Sequence, residues 1–82
     1  MNKVITREVA ESWHHSEPAC NNGAQFWTDG QSIYSYKLPI GYTTPAGDKV
    51  ALDYTSGGSQ GFKSMTTSKH VGYVKSFAST IE

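Results

Sequence analysis

Gln25-Phe26-Trp27-Thr28-Asp29-Gly30-Gln31-Ser32-Ile33-Tyr34-Ser35-Tyr36-Lys37-Leu38-Pro39-Ile40-Gly41-Tyr42 is the stretch on which the fold turns. Asp29-Gly30 stands between two runs rich in aromatic and β-branched residues. That is a hairpin signal, because tight hairpin turns need positive φ where Asp and Gly supply it at low cost. The second run alternates. Tyr34, Tyr36, Leu38, Ile40 and Tyr42 fall on one face, and Ser35, Lys37, Pro39 and Gly41 on the other. Pro39 lacks a donor, so the strand is an edge there, or bulged or broken. Pro45-Ala46-Gly47-Asp48 makes a second turn, and Lys49 to Thr55 returns with Val50, Leu52 and Tyr54 on a common face. Three antiparallel strands in a meander is the simplest arrangement.

Helices flank this meander. Thr6 to His15 reads as a helix, with Thr6 as N-cap and Val9, Ala10 and Trp13 as a narrow apolar stripe. A short strand through Val4, Thr6 and Glu8 is the rival reading. Near the other terminus Thr67 or Ser68 caps a final helix whose stripe is Val71, Val74, Phe77 or Ala78, and Ile81. Lys69, His70 and Lys75 sit off that stripe, and Gly72 costs the helix about 1 kcal/mol relative to Ala. Between sheet and helix, Ser56 to Ser64 is a flexible Gly/Ser-rich loop by composition. The expected fold is therefore α+β: a small single domain over residues 1–82, with a three-stranded antiparallel meander packed by an N-terminal and a C-terminal helix, α-β-β-β-α.

The composition limits the function. The chain has 82 residues, seven basic and seven acidic side chains, and formal net charge zero. A dedicated non-specific DNA-binder would carry basic excess. No apolar run approaches the roughly 18 residues of a membrane span. Met1-Asn2-Lys3 is followed by polar Thr6, Arg7 and Glu8, which is no signal-peptide pattern. Cys20 is the single cysteine, so an intracellular, reducing location is the default. Hydrophobic residues make up 37% and charged residues 17% of the chain, so the ten aromatics must carry much of the core. Zero net charge also favours self-association, which makes a homo-oligomer an expected form.

Several motifs could carry chemistry. His14, His15 and Cys20 have ligand-type side chains, but adjacent helical residues diverge by about 100° and the spacing fits no metal. Exposed helix-end histidines explain the pair, so no metal and no cofactor is expected. Ser68-Lys69-His70 combines a nucleophile with bases, but consecutive helical residues point apart. No enzyme is expected. Ser56 to Gly61 lacks the Gly-Lys-Ser/Thr ending of a phosphate loop. Tyr34, Tyr36 and Tyr42 with Lys37 and Lys49 could stack and neutralise a single strand, although a face shared with Leu38 and Ile40 favours the core. Trp13, Phe26, Trp27, Phe62 and Met65 exceed what one short meander obviously covers, and aromatics are the usual anchors of protein interfaces.

Three segments resemble small proteins common in tailed-phage genomes. They are Val4-Ile5-Thr6-Arg7-Glu8-Val9, Ile33 to Gly41, and Asp53-Tyr54-Thr55 with Met65-Thr66-Thr67-Ser68-Lys69-His70-Val71. The closing Thr-Thr-Ser-Lys-His, at a helix start, is the most specific of these. The chain departs from the pattern by inserting Ser56 to Ser64 and by having Gly41 where a small Ala is usual. The resemblance implies an α–β–β–β–α domain, a phage origin and residence in the host cytoplasm. It implies no activity, so it carries no catalytic residue across. The resulting expectation is a non-enzymatic phage accessory protein that binds a host or phage protein, such as a host-takeover or counter-defence inhibitor, through Trp27, Tyr36, Lys37, Phe62, Lys63, Lys69 and His70. The alternative is a nucleic-acid-binding accessory protein using strand aromatics and flanking lysines.

Overall fold

The computed structural model describes residues 2–82. Its elements in chain order are β1 (Asn2–Lys3), α1 (Thr6–His14), β2 (Ala19–Cys20), β3 (Phe26–Thr28), β4 (Ile33–Ser35), β5 (Leu38–Thr43), β6 (Lys49–Ala51), α2 (Met65–Phe77) and β7 (Thr80–Ile81). The strands form one seven-stranded mixed sheet in sequence order. β2 to β6 are antiparallel neighbours, while β1 pairs parallel with β2 and β7 parallel with β6.

Each parallel pair needs a crossover, and each crossover is a helix: α1 between β1 and β2, α2 between β6 and β7. An even number of antiparallel reversals makes β2 and β6 point the same way. Both crossovers therefore step across the sheet in the same sense from strands of the same direction. Connections of one hand then place both helices on one face, and α1 and α2 do touch.

The three-stranded meander is thus corrected to seven strands, within an α+β arrangement of two helices on one sheet. The expected long strand from Gln31 to Tyr42 is interrupted at Tyr36-Lys37, a two-residue turn between β4 and β5. Tyr36 takes φ +58° there. Its N–H donates to Gln25 O at 2.7 Å, and its carbonyl accepts from Trp27 Nε1 at 2.7 Å. The alternation was real only in pieces, because the turn and a bulge each reset it. The bulge lies in β5: Tyr34 pairs with Pro39 but Ile33 with Gly41, leaving Ile40 extra. This also accommodates Pro39 in an interior strand. The remaining strands, β1, β2 and β7, have two residues each, too few for a period to be read.

The faces follow from the register. Toward the helices point Phe26, Thr28, Ile33, Ser35, Ile40, Gly41 and Ala51, and away from them Trp27, Tyr34 and Tyr42. The core is Val9, Ala10 and Trp13 of α1, Val71 and Val74 of α2, and Phe26, Ile33, Ile40 and Ala51 of the sheet. Tyr34 and Tyr42 are therefore not beneath the helices, as a shared face with Ile40 would require.

The helix ends also differ from expectation. Ile5, not Thr6, is the N-cap position of α1, and Thr6 Oγ1 instead accepts from Asn21 Nδ2. Ser64 caps α2, its side chain accepting from Thr67 N at 3.1 Å. Thr67 and Ser68 lie inside the helix, so neither can cap it. His70 joins Thr67, Val71 and Val74 on the buried stripe. Ile81 lies outside it, because Ala78 is extended and Ser79 N and Glu82 N pair with Lys49 O and Ala51 O. Ser56 to Ser64 folds back on Asp53, whose carbonyl accepts from Gln60 N and whose carboxylate accepts from Thr55.

Gly41 and Gly72 make opposite cases. The bulge sends two successive residues, Ile40 and Gly41, to the buried face. A Cβ at Gly41 would lie 2.7 Å from Ile33 Cγ2 and 3.1 Å from Val74 Cγ1. Gly72 is exposed in α2 with nothing within 4 Å of its would-be Cβ. Urea unfolding should show Gly41→Ala destabilising by about 1–3 kcal/mol through overpacking. Gly72→Ala should stabilise by about 0.5–1 kcal/mol.

Candidate functional site

The end of the sheet where β4 turns into β5 gathers most of the unusual chemistry. Beneath the turn lies a buried polar knot. Ser35 Oγ is 2.7 Å from His70 Nδ1 and 3.0 Å from Thr67 Oγ1. The His70 ring stacks on Phe26 with centroids 4.4 Å apart and planes 5° from parallel. Burial, and then the nearby Lys69 charge, hold the His70 pKa below its usual value, so the imidazole is neutral at pH 7.

A serine within hydrogen-bond reach of a neutral imidazole is the chemistry of an activated nucleophile. Access decides against it here. Ser35 is 1% and His70 4% exposed, and Phe26 covers one face of the ring. An open groove of about 600 Å³ lies elsewhere, between β1 and the start of α1, lined by Lys3, Val4, Ile5, Thr6, Glu8 and Asn21. The knot is a fastener between α2 and β4. Ser68, the serine singled out by the sequence, has its Oγ buried without a hydrogen-bond partner among the described residues.

Above the knot the surface is apolar and cationic. Tyr36 is 49% exposed at the turn, with its ring centroid 6.4 Å from that of His70. Phe62 and Met65, 50% and 78% exposed, flank the Ser64 cap at the same end, since α2 begins beside Ser35. Lys37, Lys63 and Lys69 are exposed around them. Lys63 Nζ sits 5.8 Å above the Tyr54 ring. From Tyr54 to Ile81 the chain carries Lys63, Lys69 and Lys75 and no acidic residue. Asp53, just before, is held by Thr55 and by Lys75 at 3.2 Å. Zero net charge thus conceals a cationic end.

The seven residues expected to form a binding surface part company. Tyr36, Lys37, Phe62, Lys63 and Lys69 are exposed at this end. His70 lies in the core beneath them. Trp27 is half-buried on the far face of the sheet, stacked on Tyr34 with centroids 4.1 Å apart. Met65 is the most exposed large apolar residue, yet the sequence reading left it out of that surface. Its place immediately after a capping serine was the available signal. Among the described residues no group of His, Cys, Asp and Glu could hold a metal ion, and Cys20 is free and buried. No helix among the described residues is long and apolar enough to cross a membrane.

Lys49 forms a separate buried feature at the opposite end of the sheet. It is 6% exposed, and burial lowers its pKa. Its Nζ donates to Thr43 Oγ1 at 2.7 Å and to Ser16 Oγ at 3.0 Å, and lies 5.4 Å from the Trp13 ring centroid. These contacts satisfy the ammonium and leave it no exposed role.

Comparison with protein-family models, curated proteins and solved structures found no match to this chain.

The depressed pKa of His70 fixes a sign. Below about pH 6.5 the unfolded chain takes up a proton that the folded chain resists, so stability falls as pH drops from 6.5 toward the folded pKa. Thermal melts should show that loss, and His70→Phe should flatten it. An NMR titration should place the His70 midpoint below 6.5.

Proposed function

We propose that this chain is a non-enzymatic accessory protein that acts by binding another protein through the cationic, aromatic end formed by Tyr36, Phe62 and Met65 with Lys37, Lys63 and Lys69. One observation carries the reading. Tyr36, a bulky residue, occupies the left-handed region at φ +58° with its ring half exposed. Such a conformation costs of order 1–3 kcal/mol in a non-glycine residue, and such strain clusters at functional sites. The other non-glycine residues with positive φ, Ser16 and Ala24, are small. Tyr36 is held in this conformation by Gln25 and Trp27, at the same end of the sheet as two further exposed apolar residues.

Apolar anchors rimmed by lysines suit a protein segment that pairs hydrophobic with acidic side chains. In the tailed-phage setting that the sequence motifs imply, the partner would be a host protein, and the outcome inhibition of a host or defence component. Nucleic-acid binding is the weaker reading. Tyr34 already stacks on Trp27, and the sheet face they occupy carries no lysine except Lys3 at its edge.

Capture from bacterial lysate should yield one protein in near-equal amount, unaffected by nuclease. Phe62→Asp and Met65→Asp should each weaken it at least tenfold, an anchor contribution of about 1.4 kcal/mol or more. Tyr36→Asn should weaken capture while preserving or raising stability, because Asn tolerates positive φ. Recovery that disappears with nuclease, or that ignores all three substitutions, would contradict the reading.

A further inference from the structure

Neither helix lies on the sheet face opposite the core. Register places Lys3, Cys20, Trp27, Tyr34 and Pro39 in one row across β1 to β5. Tyr42, Val50 and Thr80 form a second row across β5 to β7. The middle of this face is apolar and aromatic. Trp27, Tyr34 and Tyr42 are half-buried, shouldering over Cys20 and Val50. Charge enters it from its two sides: Lys3 on β1, and Glu82 just past β7, whose carboxylate reaches in to accept from Tyr42 Oη at 3.2 Å.

We infer that this face packs against the same face of a second copy, giving a two-fold dimer in which each Lys3 meets the other copy's Glu82. Three features select a second copy as the occupant. The first is charge complementarity. β1 and β7 run in the same direction, and Lys3 ends β1 as Glu82 follows β7, so both charges sit at the same end of the sheet. A two-fold axis parallel to the strands lays β1 of one copy over β7 of the other and keeps that end in common. Lys3 and Glu82 then approach twice, once on each side of the axis. An axis across the strands would instead oppose like edges.

The second feature is size. The molecule is a slab of 32 × 31 × 19 Å. Seven strands about 4.8 Å apart account for one long dimension. The broad face is of the order of the ~800 Å² per partner that a stable interface buries. The third is net charge. At formal charge zero, two copies have no long-range repulsion to overcome. The product is an aligned sandwich, two sheets about 10 Å apart with strands crossing by about 30°. Because the axis runs along the strands, the two Tyr36 turns emerge at the same end of the dimer. The dimer does not depend on the binding role proposed for that end, but it would present it twice.

Sedimentation velocity on the whole chain tests this. The account expects a species of twice the 9.0 kDa chain mass at micromolar concentration. Tyr34→Glu should give a monomer whose circular dichroism is unchanged. Lys3→Glu and Glu82→Lys should each raise the dissociation constant by about tenfold, for two symmetric contacts. The double variant Lys3→Glu/Glu82→Lys should restore it. That restoration would not occur if either substitution merely harmed folding. A monomer at every concentration, a monomer that uses this face for a different protein, or a dimer indifferent to Tyr34→Glu and to the charge reversals would each overturn the inference.

Discussion

The hydrogen bond between Ser35 and His70, with Phe26 stacked on the imidazole, is the contact on which the arrangement depends. It joins β4 to the second turn of α2 at one point and in one orientation. A buried imidazole without a partner for its nitrogen costs more than the bond contributes when formed, so sliding α2 along the sheet is penalised at once. With α2 held there, its first turn stands beside the Tyr36 turn and its C-terminal end lies against α1. His14 Nδ1 then lies 3.3 Å from Phe77 O. The chain leaving α2 reaches β6 and closes the sheet as β7.

The same contact separates what is closed from what is open. The Ser35–His70 pair is turned inward and sealed, both residues being buried on the helix-covered face. What faces water is instead a set of anchors, aromatic and methionine side chains with lysines around them. The helices shield one face of the sheet, because two crossovers of like direction cannot cover both. The bare face keeps its aromatic row, while the polar knot occupies the covered face. A domain built this way leaves apolar and cationic surface open and holds the Ser35–His70 pair in the core.

Much of this was legible in the residues, and the exceptions have physical causes. α1 was visible because Val9, Ala10 and Trp13 keep helical spacing. The Asp29-Gly30 hairpin was visible because the turn chemistry is local; Asp29 Oδ1 accepts from Gln31 N and Ser32 N. Tyr36 concealed the second turn, since in sequence a tyrosine reads as a strand residue, and its positive φ is fixed by Gln25 and Trp27 from outside the turn. The two-residue turn at Tyr36-Lys37 puts Ser35 and Leu38 on one face, and the bulge at Ile40 then turns Tyr42 away from it. A single period of two run through both cannot register this, so Ser35 seemed solvent-facing and Tyr34 and Tyr42 core. β1, β2 and β7 owe their existence to partners rather than to composition. For the site, the exposed lysines and Phe62 were legible by type. His70 was misplaced because the buried stripe of α2 is partly polar, its neighbours being Thr67 and Ser35 rather than aliphatic side chains.

The central claim is that both helices cover one face of the sheet and leave the Trp27–Tyr34 face bare of them. Nuclear Overhauser contacts from the aromatic rings test it most directly. The account predicts cross-peaks between the His70 imidazole and the Phe26 ring, and between Trp27 and Tyr34. It predicts none from the Trp27 indole to any residue of α1 or α2. Contacts from Trp27 or Tyr34 to the Val71–Val74 side of α2 would place the helix on the wrong face and contradict the account.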